Sequence, residues 1–567
     1  MLLTTIILVC LFIIFSFFLK RCLIHAREAG VKIVLFLTLF TGLIGSSLAS
    51  VSNTDADMML SARSSTADHS QFEELKQDFK TGPEVTKACL GCHTEAAKQL
   101  HKTTHWTWAF ENKLTGQTLG KKNVVNNFCV ATATNWARCT SCHIGYGWKD
   151  RSFDLTSEEN VDCLVCHETT GTYKKYPTGA GHPNYEPKKW PPKKGKLRQP
   201  PDLAKVAQSV GTPERSNCGV CHFYGGGGDG VKHGHLDSSM TNPSKSLDVH
   251  MDATGLNFTC QTCHTTGSHQ IAGSRYVTKA ADSRGIVIPG QKNQTRASCE
   301  SCHGSKPHPE QSNAKLNDHT DKIACVTCHI PEYARGGKKT KTLWDWSTAG
   351  KKDANGKPLV IKDKQGYPTY HFKKGDFKWE SNVVPEYHWF NGEINYSLPG
   401  EKIDDTKVVP INRIGGSADD KNSRIWPFKV MLGSQPYDKQ NKIFGIPHLF
   451  GKDKDAYWKN FDWGRALEAG MKEQGFEFSG EYGFVETEYF WPVTHMVAPA
   501  ENSLDCESCH SNEGRLKAVS GVYIPGQTSF EWLDIVGWLM VVGTLGGVSV
   551  HGLGRILTGK NRNKGDA

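Results

Sequence analysis

The pattern Cys-x-x-Cys-His occurs eight times in this chain of 567 residues. The sites are Cys89, Cys92 and His93; Cys139, Cys142 and His143; Cys163, Cys166 and His167; and Cys218, Cys221 and His222. They continue with Cys260, Cys263 and His264; Cys299, Cys302 and His303; Cys325, Cys328 and His329; and Cys506, Cys509 and His510. Residues three and four apart share one face of a helical turn. Two thiols so placed can form thioethers to the vinyls of one haem while the next histidine ligates its iron. One copy alone also suits zinc. Eight copies, taking 16 of the 19 cysteines, read as eight covalent c-type haems in an exported redox protein.

The remaining ligands follow from the same chemistry. A haem that only passes electrons usually has two strong axial ligands, whereas a catalytic haem keeps one position open or weakly held. Of 24 histidines, sixteen lie outside the motifs. His105, His182, His250, His269, His308, His319 and His495 are expected as distal ligands, with His101, His233, His235, His388 and His448 as replacements. His25 and His551 flank or enter apolar segments, and His69 lies in a polar N-terminal stretch.

Seven motifs fall between residues 89 and 329, which leaves little chain for a conventional core. The expected fold class is therefore mainly α with extensive loops. Short helices carry the motifs of a multihaem cytochrome c core built around packed haems, and a C-terminal transmembrane helix follows. Residues 50–340 form the haem domain, 341–500 an aromatic-rich region folding over it, and 501–530 the eighth motif and a linker. Within 341–500, Asp455–Gly475 reads as helix and Lys357–Glu380 shows strand alternation. Formal charge is +9. Haem propionates offset it by about −8 once the ferric irons are counted, and no nucleic-acid motif is present.

The ends read as targeting. Residues 1–49 contain two apolar runs and close on Ser47-Leu48-Ala49, a secretory pattern, with Val31 a candidate true start. Ile535–Leu557 is apolar enough to span a membrane, and Arg555, Lys560, Arg562 and Lys564 place its far end in the cytoplasm. The expected location is the periplasmic face of the inner membrane, with residues 531–567 as helix and basic tail. Gly543 and Gly547 form a GxxxG pair, and His551 lies in the same span. Both suit docking to a cytochrome b or another quinol dehydrogenase; a plain anchor is the alternative.

From about Cys89 to Cys509 the chain resembles the octahaem tetrathionate reductase family of c-type cytochromes. The resemblance rests on the order of the eight motifs and on the stretches NNFCVATATNWARCTSCHIGYGW, CLVCHETTGTYKKYPTGAGHP, CHFYGGGGDGVKHG, DVHM and LNDH…CVTCHIP. It implies seven bis-histidine haems and a catalytic haem at the second motif, whose distal ligand matches Lys232. The family's active-site cysteine and asparagine match Cys129 and Asn126. The implied reaction is two-electron reduction of tetrathionate to two thiosulfates, with nitrite and hydroxylamine as side substrates. Pentahaem nitrite reductases often carry CxxCK, which is absent here.

The residues themselves agree. Cys129 is the one exported cysteine outside a haem motif, ten residues before Cys139. A free thiol beside a reducing haem can exchange with a polythionate S–S bond; alone it would read as a small buried apolar residue. Gly225–Gly228 allows close backbone approach to a macrocycle. Lys232 after it can leave the iron when an anion binds, then supply charge or a proton. Asp229 is expected to tune that amine. A non-catalytic electron conduit remains the competing reading, and a nitrogen-compound reductase the third.

Overall fold

Beyond Thr340 the haem motifs pause and Trp, Tyr and Phe become frequent. Such residues lose side-chain freedom in a helix and pack well on a pleated surface. In the computed structural model they build a nine-stranded sheet. The structure describes residues 66–192, 195–280, 282, 297–527 and 531–562. The strands are β1 (Thr340–Asp345), β2 (Val360–Lys362), β3 (Pro368–His371), β4 (Gly375–Glu380), β5 (Glu386–Phe390), β6 (Val409–Pro410), β7 (Arg424–Asp438), β8 (Ile443–Phe444) and β9 (Tyr482–Pro492). Their order is β6-β9-β7-β1-β4-β3-β2, with β5 and β8 also paired to β7.

The long strand β7 runs antiparallel to β9 from Phe428↔Pro492 to Asp438↔Tyr482, and parallel to β1 at Leu432↔Leu343. Most of its residues are buried on both faces. A strand of that kind reads as an apolar run without alternation, so it gives no period-two signal. Lys357–Glu380 does, and there β2, β3 and β4 form an antiparallel meander. Helix occupies 26% and strand 20% of the chain, so the expectation of a mainly α fold gives way to a mixed one. Helix α1 (Trp463–Gln474) lies within the expected Asp455–Gly475; Asp462 caps its first turn, and Gly475 ends it at φ +78°.

Trp344, Phe377, Phe428 and Trp491 of the sheet share one buried cluster with Val125, Phe128, Val130 and Val231. Loops from the motif-rich half thus sit directly on the sheet. A second cluster, with Trp106, Tyr146, Val161 and Leu164, packs around the first three motifs. Helix α2 (Glu531–Arg562) contains the expected Ile535–Leu557. Its segment Trp532–Thr558 has mean hydropathy 1.7, is long and apolar enough to cross a membrane, and buries none of its surface. Residues 1–49, with His25, lie outside the described residues.

Candidate functional site

Most motifs form one tight helical turn. In the first, the Cys89 carbonyl accepts from the N–H groups of Cys92 (3.2 Å) and His93 (2.8 Å). The third, sixth and eighth repeat this at Cys163, Cys299 and Cys506. Seven motif histidines then face a second histidine. Ring centres are 6.3 Å apart for His93–His69, 6.5 Å for His167–His269 and 6.2 Å for His222–His105. They are 6.2 Å apart for His264–His495, 6.0 Å for His303–His250, 6.4 Å for His329–His308 and 6.2 Å for His510–His319. Two imidazoles on opposite sides of one iron need roughly 6.2 Å, since each bond is about 2.0 Å and each ring centre about 1.1 Å beyond its nitrogen. The residues fit bis-histidine haem.

The ring nitrogens fit as well. Nδ1 is held by Ala67 O in His69 (3.2 Å), Gly211 O in His167 (2.9 Å), Ala272 O in His264 (2.8 Å) and Pro525 O in His510 (2.9 Å). Gln99 Oε1 holds that of His269 (2.8 Å), Asn317 Oδ1 that of His308 (3.2 Å) and Lys315 O that of His319 (3.0 Å). An Nδ1–H fixed in this way leaves Nε2 as the ligating atom.

Six expected distal histidines are therefore placed opposite a motif histidine, and His182 is not. Its ring stacks on Tyr146 and its Nδ1 lies 2.8 Å from the Tyr185 hydroxyl. His69 takes the remaining position, because the Asp68-capped turn His69–Gln71 brings this polar segment onto the first motif. The D-H-S-Q sequence carries that cap signal and nothing that marks a haem ligand. His101 stacks on Trp106, His388 lies 3.6 Å from Glu386, and His448 bonds Asp453 at 3.0 Å. His233 packs edge-on to Trp491, and His235 Nδ1 sits 3.1 Å from that of His495. His69→Ala is expected to open one haem of the reduced protein to carbon monoxide and His182→Ala none, read by titration in the Soret band. The reverse pattern would reject the pairing.

The second motif departs from the others. A helix at Trp136–Cys139 gives way to a 3-10 turn at Thr140–Cys142, and the His143 N–H bonds Thr140 O. Among the described residues His143 is the one motif histidine with no histidine ring opposite. Trp106, Trp108, Trp148 and Phe153 box it in, and its Nε2 lies 2.7 Å from Trp106 O. Haem ligation through that nitrogen and this hydrogen bond are alternatives. Burial pushes the ring's pKa down to about 3, so it is neutral, the ligating form. Lys175, paired with the buried Asp162 at 2.8 Å, also holds the His143 carbonyl.

Around this motif the structure gathers the residues matched to the family's active site. Cys129 sits in the tight loop Asn126–Val130. Asn126 Oδ1 accepts from the N–H groups of Phe128 (2.8 Å) and Cys129 (3.2 Å), and Val130 has φ +59°. Asn127, not singled out in the sequence, pins the loop to Met431 O (2.8 Å) and Thr487 Oγ1 (3.0 Å). Cys129 is within electrostatic reach of Cys139.

Lys232 lies within reach of Cys142, its ammonium 4.9 Å from the Trp491 ring. Burial lowers its pKa well below the ordinary lysine range; Arg275 and Lys121 add to this and Cys142 opposes it. An uncharged amine is competent to ligate iron. Gly226, at φ +76°, packs where a Cβ would come within 2.8 Å of Phe128, so the glycine loop is seated on the cysteine loop. Asp229 does not meet the amine. Ser238 donates to its carboxylate from N–H (2.8 Å) and hydroxyl (2.5 Å), and Lys338 lies 3.8 Å away, so Asp229 staples the loop. Lys429, fully buried on β7, holds Lys232 instead: its Nζ donates to Val231 O (3.0 Å), Lys232 O (2.8 Å) and Thr340 Oγ1 (2.5 Å). A lysine inside the apolar run IWPFKVML is the sequence signal for it.

Neighbouring motifs also bring their thiols together. The nearest pairs are Cys89–Cys163, Cys142–Cys221, Cys218–Cys260 and Cys299–Cys325. Cys166–Cys218, Cys263–Cys299 and Cys328–Cys509 are within electrostatic reach. The resulting order of motifs is one, three, four, five, six, seven, eight, with the second motif branching from the fourth.

Comparison with known proteins fits this layout. The family model described as "Cytochrome c554 and c-prime" matches residues 88–168, and "Cytochrome c bacterial" matches 341–513. An uncharacterized protein of Archaeoglobus fulgidus is 26% identical over 265 residues, covering 39% of this chain and 86% of that protein. The crystal structure of octaheme cytochrome c from Shewanella oneidensis superposes with a TM-score of 0.70 at 45% identity, covering 82% of this chain and 98% of that one. Covalent haem c on CxxCH turns, opposed histidines and this likeness over most of both chains agree: the protein belongs to the octahaem c-type cytochromes.

Proposed function

We propose that this cytochrome carries eight haems, one per motif, and reduces tetrathionate to two thiosulfates at the second motif. The observation that carries the reading is the free thiol of Cys129, pinned beside the one motif without an opposed histidine and surrounded by cations. The Cys129 thiolate attacks one central sulfur of tetrathionate. The central S–S bond breaks, its electron pair leaves on the first thiosulfate, and a Cys129–S–S–SO₃⁻ adduct remains. Two electrons then cleave the Cys129–sulfur bond, returning the thiolate and releasing the second thiosulfate. The haems supply those electrons. Arg275 offers positive charge where negative charge accumulates, Lys232 does so only once it has taken up a proton, and Asn126 holds the backbone that aims the thiol. The test is reoxidation of the dithionite-reduced protein. Tetrathionate is expected to reoxidise it faster than nitrite or hydroxylamine do; equal slow reoxidation by all three would favour a conduit.

Electrons enter, in this reading, from the membrane. Helix α2 tethers the protein at the periplasmic face, and Gly543 and Gly547 have nothing within 4 Å of an added Cβ, so a partner helix can approach there. The expected partner is a cytochrome b or another quinol dehydrogenase, with His551 a ligand or quinol contact. Detergent-solubilised protein should bring such a subunit down, and Gly543→Leu with Gly547→Leu should lose it. Recovery of the wild type alone defeats the docking.

A further inference from the structure

Two lysines near Cys129, buried Lys341 and part-buried Lys374, have no role in that reaction. Lys341 on β1 is 4% exposed, yet its ammonium meets only aromatic faces among the described residues: 3.3 Å from the Phe377 ring centre, 3.7 Å from Trp344 and 4.9 Å from Trp379. Lys374, in the turn between β3 and β4, lies 5.5 Å from the same Trp344 ring, and the Trp344 indole N–H donates to Lys374 O at 2.8 Å. One indole thus fixes both lysines. Both are within electrostatic reach of Cys129, which packs against the cluster holding Trp344 and Phe377. Arg138 and Lys373 add to the field at Lys374. Among the described residues none of these four cations enters an ion pair, and no carboxylate acts on either lysine.

Burial lowers the pKa of both lysines, Lys341's well below the ordinary lysine range, so each holds its charge best beside an anion. Aromatic faces offset part of the cost of burial, up to about 2 kcal/mol for a desolvated cation. A thiolate at Cys129 neutralises one charge. The remainder calls for an anion in the same place, and the N–H donors of the two ammonium groups suit one with several acceptor oxygens.

We propose that Lys341 and Lys374 form a sulfonate subsite that receives the thiosulfate displaced when Cys129 attacks. This rests on the tetrathionate reading and deepens it. As the central S–S bond breaks, its electron pair moves onto the departing sulfur, and the two ammonium groups face the dianion that results. The subsite makes the enzyme selective for substrates with an anionic terminus over small uncharged ones. An anion there has two sources, a substrate sulfonate or a haem propionate, and the test separates them.

The test labels Cys129 of the full-length haem-loaded protein with iodoacetate, an anion, and with iodoacetamide, its neutral analogue. In the wild type the ratio of the two rates should exceed that of a simple thiol by ~10-fold, and sulfate should abolish the excess. Lys341→Met and Lys374→Met should each bring the ratio toward the simple-thiol value and raise KM for tetrathionate by ~10-fold, with hydroxylamine unaffected. Lys341→Gln serves if the methionine variant fails to fold, and the wild-type ratio needs no variant. A wild-type ratio equal to that of a simple thiol overturns the subsite. So does an excess that sulfate leaves untouched, or one that survives in both variants, as it would if propionates occupied the lysines. If the ratios behave as expected but tetrathionate is not reduced, the anion subsite stands and the tetrathionate reading falls. If tetrathionate is reduced with the ratios flat, the reverse holds.

Discussion

Replacing Cys129 with alanine is expected to leave every haem attached and to lower tetrathionate turnover by roughly 10³-fold or more, the scale on which removal of a covalent nucleophile acts. The loop is the reason for expecting a clean result. Asn126 holds it through backbone N–H groups and Asn127 through Met431 O and Thr487, so neither anchor uses the thiol. The side chain is small and only partly buried, which keeps the packing cost of its loss low. Hydroxylamine has no S–S bond to exchange, so its reduction should stay within ~3-fold of wild type. Stopped-flow reoxidation with the two oxidants reads both numbers. Equal losses on both would assign Cys129 to the integrity of the site, and no loss on tetrathionate would remove it from the reaction.

The second large effect belongs to Lys232. Lys232→Ala is expected to change the ligand-field spectrum of one haem and to lower turnover on all three oxidants by on the order of 10²-fold. Among the described residues, seven opposed histidine pairs leave the second motif without a histidine partner, and the part-buried Lys232 amine lies within reach of its Cys142. Lys429→Met should move the same spectral band by a smaller amount. It leaves the Lys232 side chain in place but removes the donor that holds Val231 O, Lys232 O and Thr340 Oγ1. A near-infrared spectrum identical in all three proteins would reject the ligand assignment.

Much of this site was legible in the sequence because covalent haem attachment has a strict spacing. The CxxCH motifs marked sixteen cysteines and eight proximal histidines directly. Six of the histidines that face a motif histidine could be named because they sit in short, distinctive segments such as DVHM and LNDH. His69 and His182 exchanged places for a reason spacing does not encode: an Asx-capped turn carried His69 onto the first motif, while Tyr185 captured His182. The sheet was hidden because β7 is buried on both faces and lacks alternation. Lys341, Lys374, Lys429 and Trp491 converge from segments far apart in the chain through the sheet, and Arg275 joins them from a loop by packing on the Trp491 ring. Asp229 shows the opposite case, a residue three positions from Lys232 whose carboxylate turns to Ser238.

The claim at the centre of this account is that Cys129 carries sulfur between the two half-reactions. Oxidised protein mixed with tetrathionate, freed of excess reagent and then given two electrons per molecule tests it most directly, with thiosulfate counted at each stage and the Cys129 peptide weighed before and after. One thiosulfate is expected on mixing, with a Cys129 peptide heavier by the other, and reduction should release that second thiosulfate and return the thiol as fast as turnover. An unmodified peptide with both thiosulfates appearing only on reduction, or an adduct that electrons do not discharge, would contradict it.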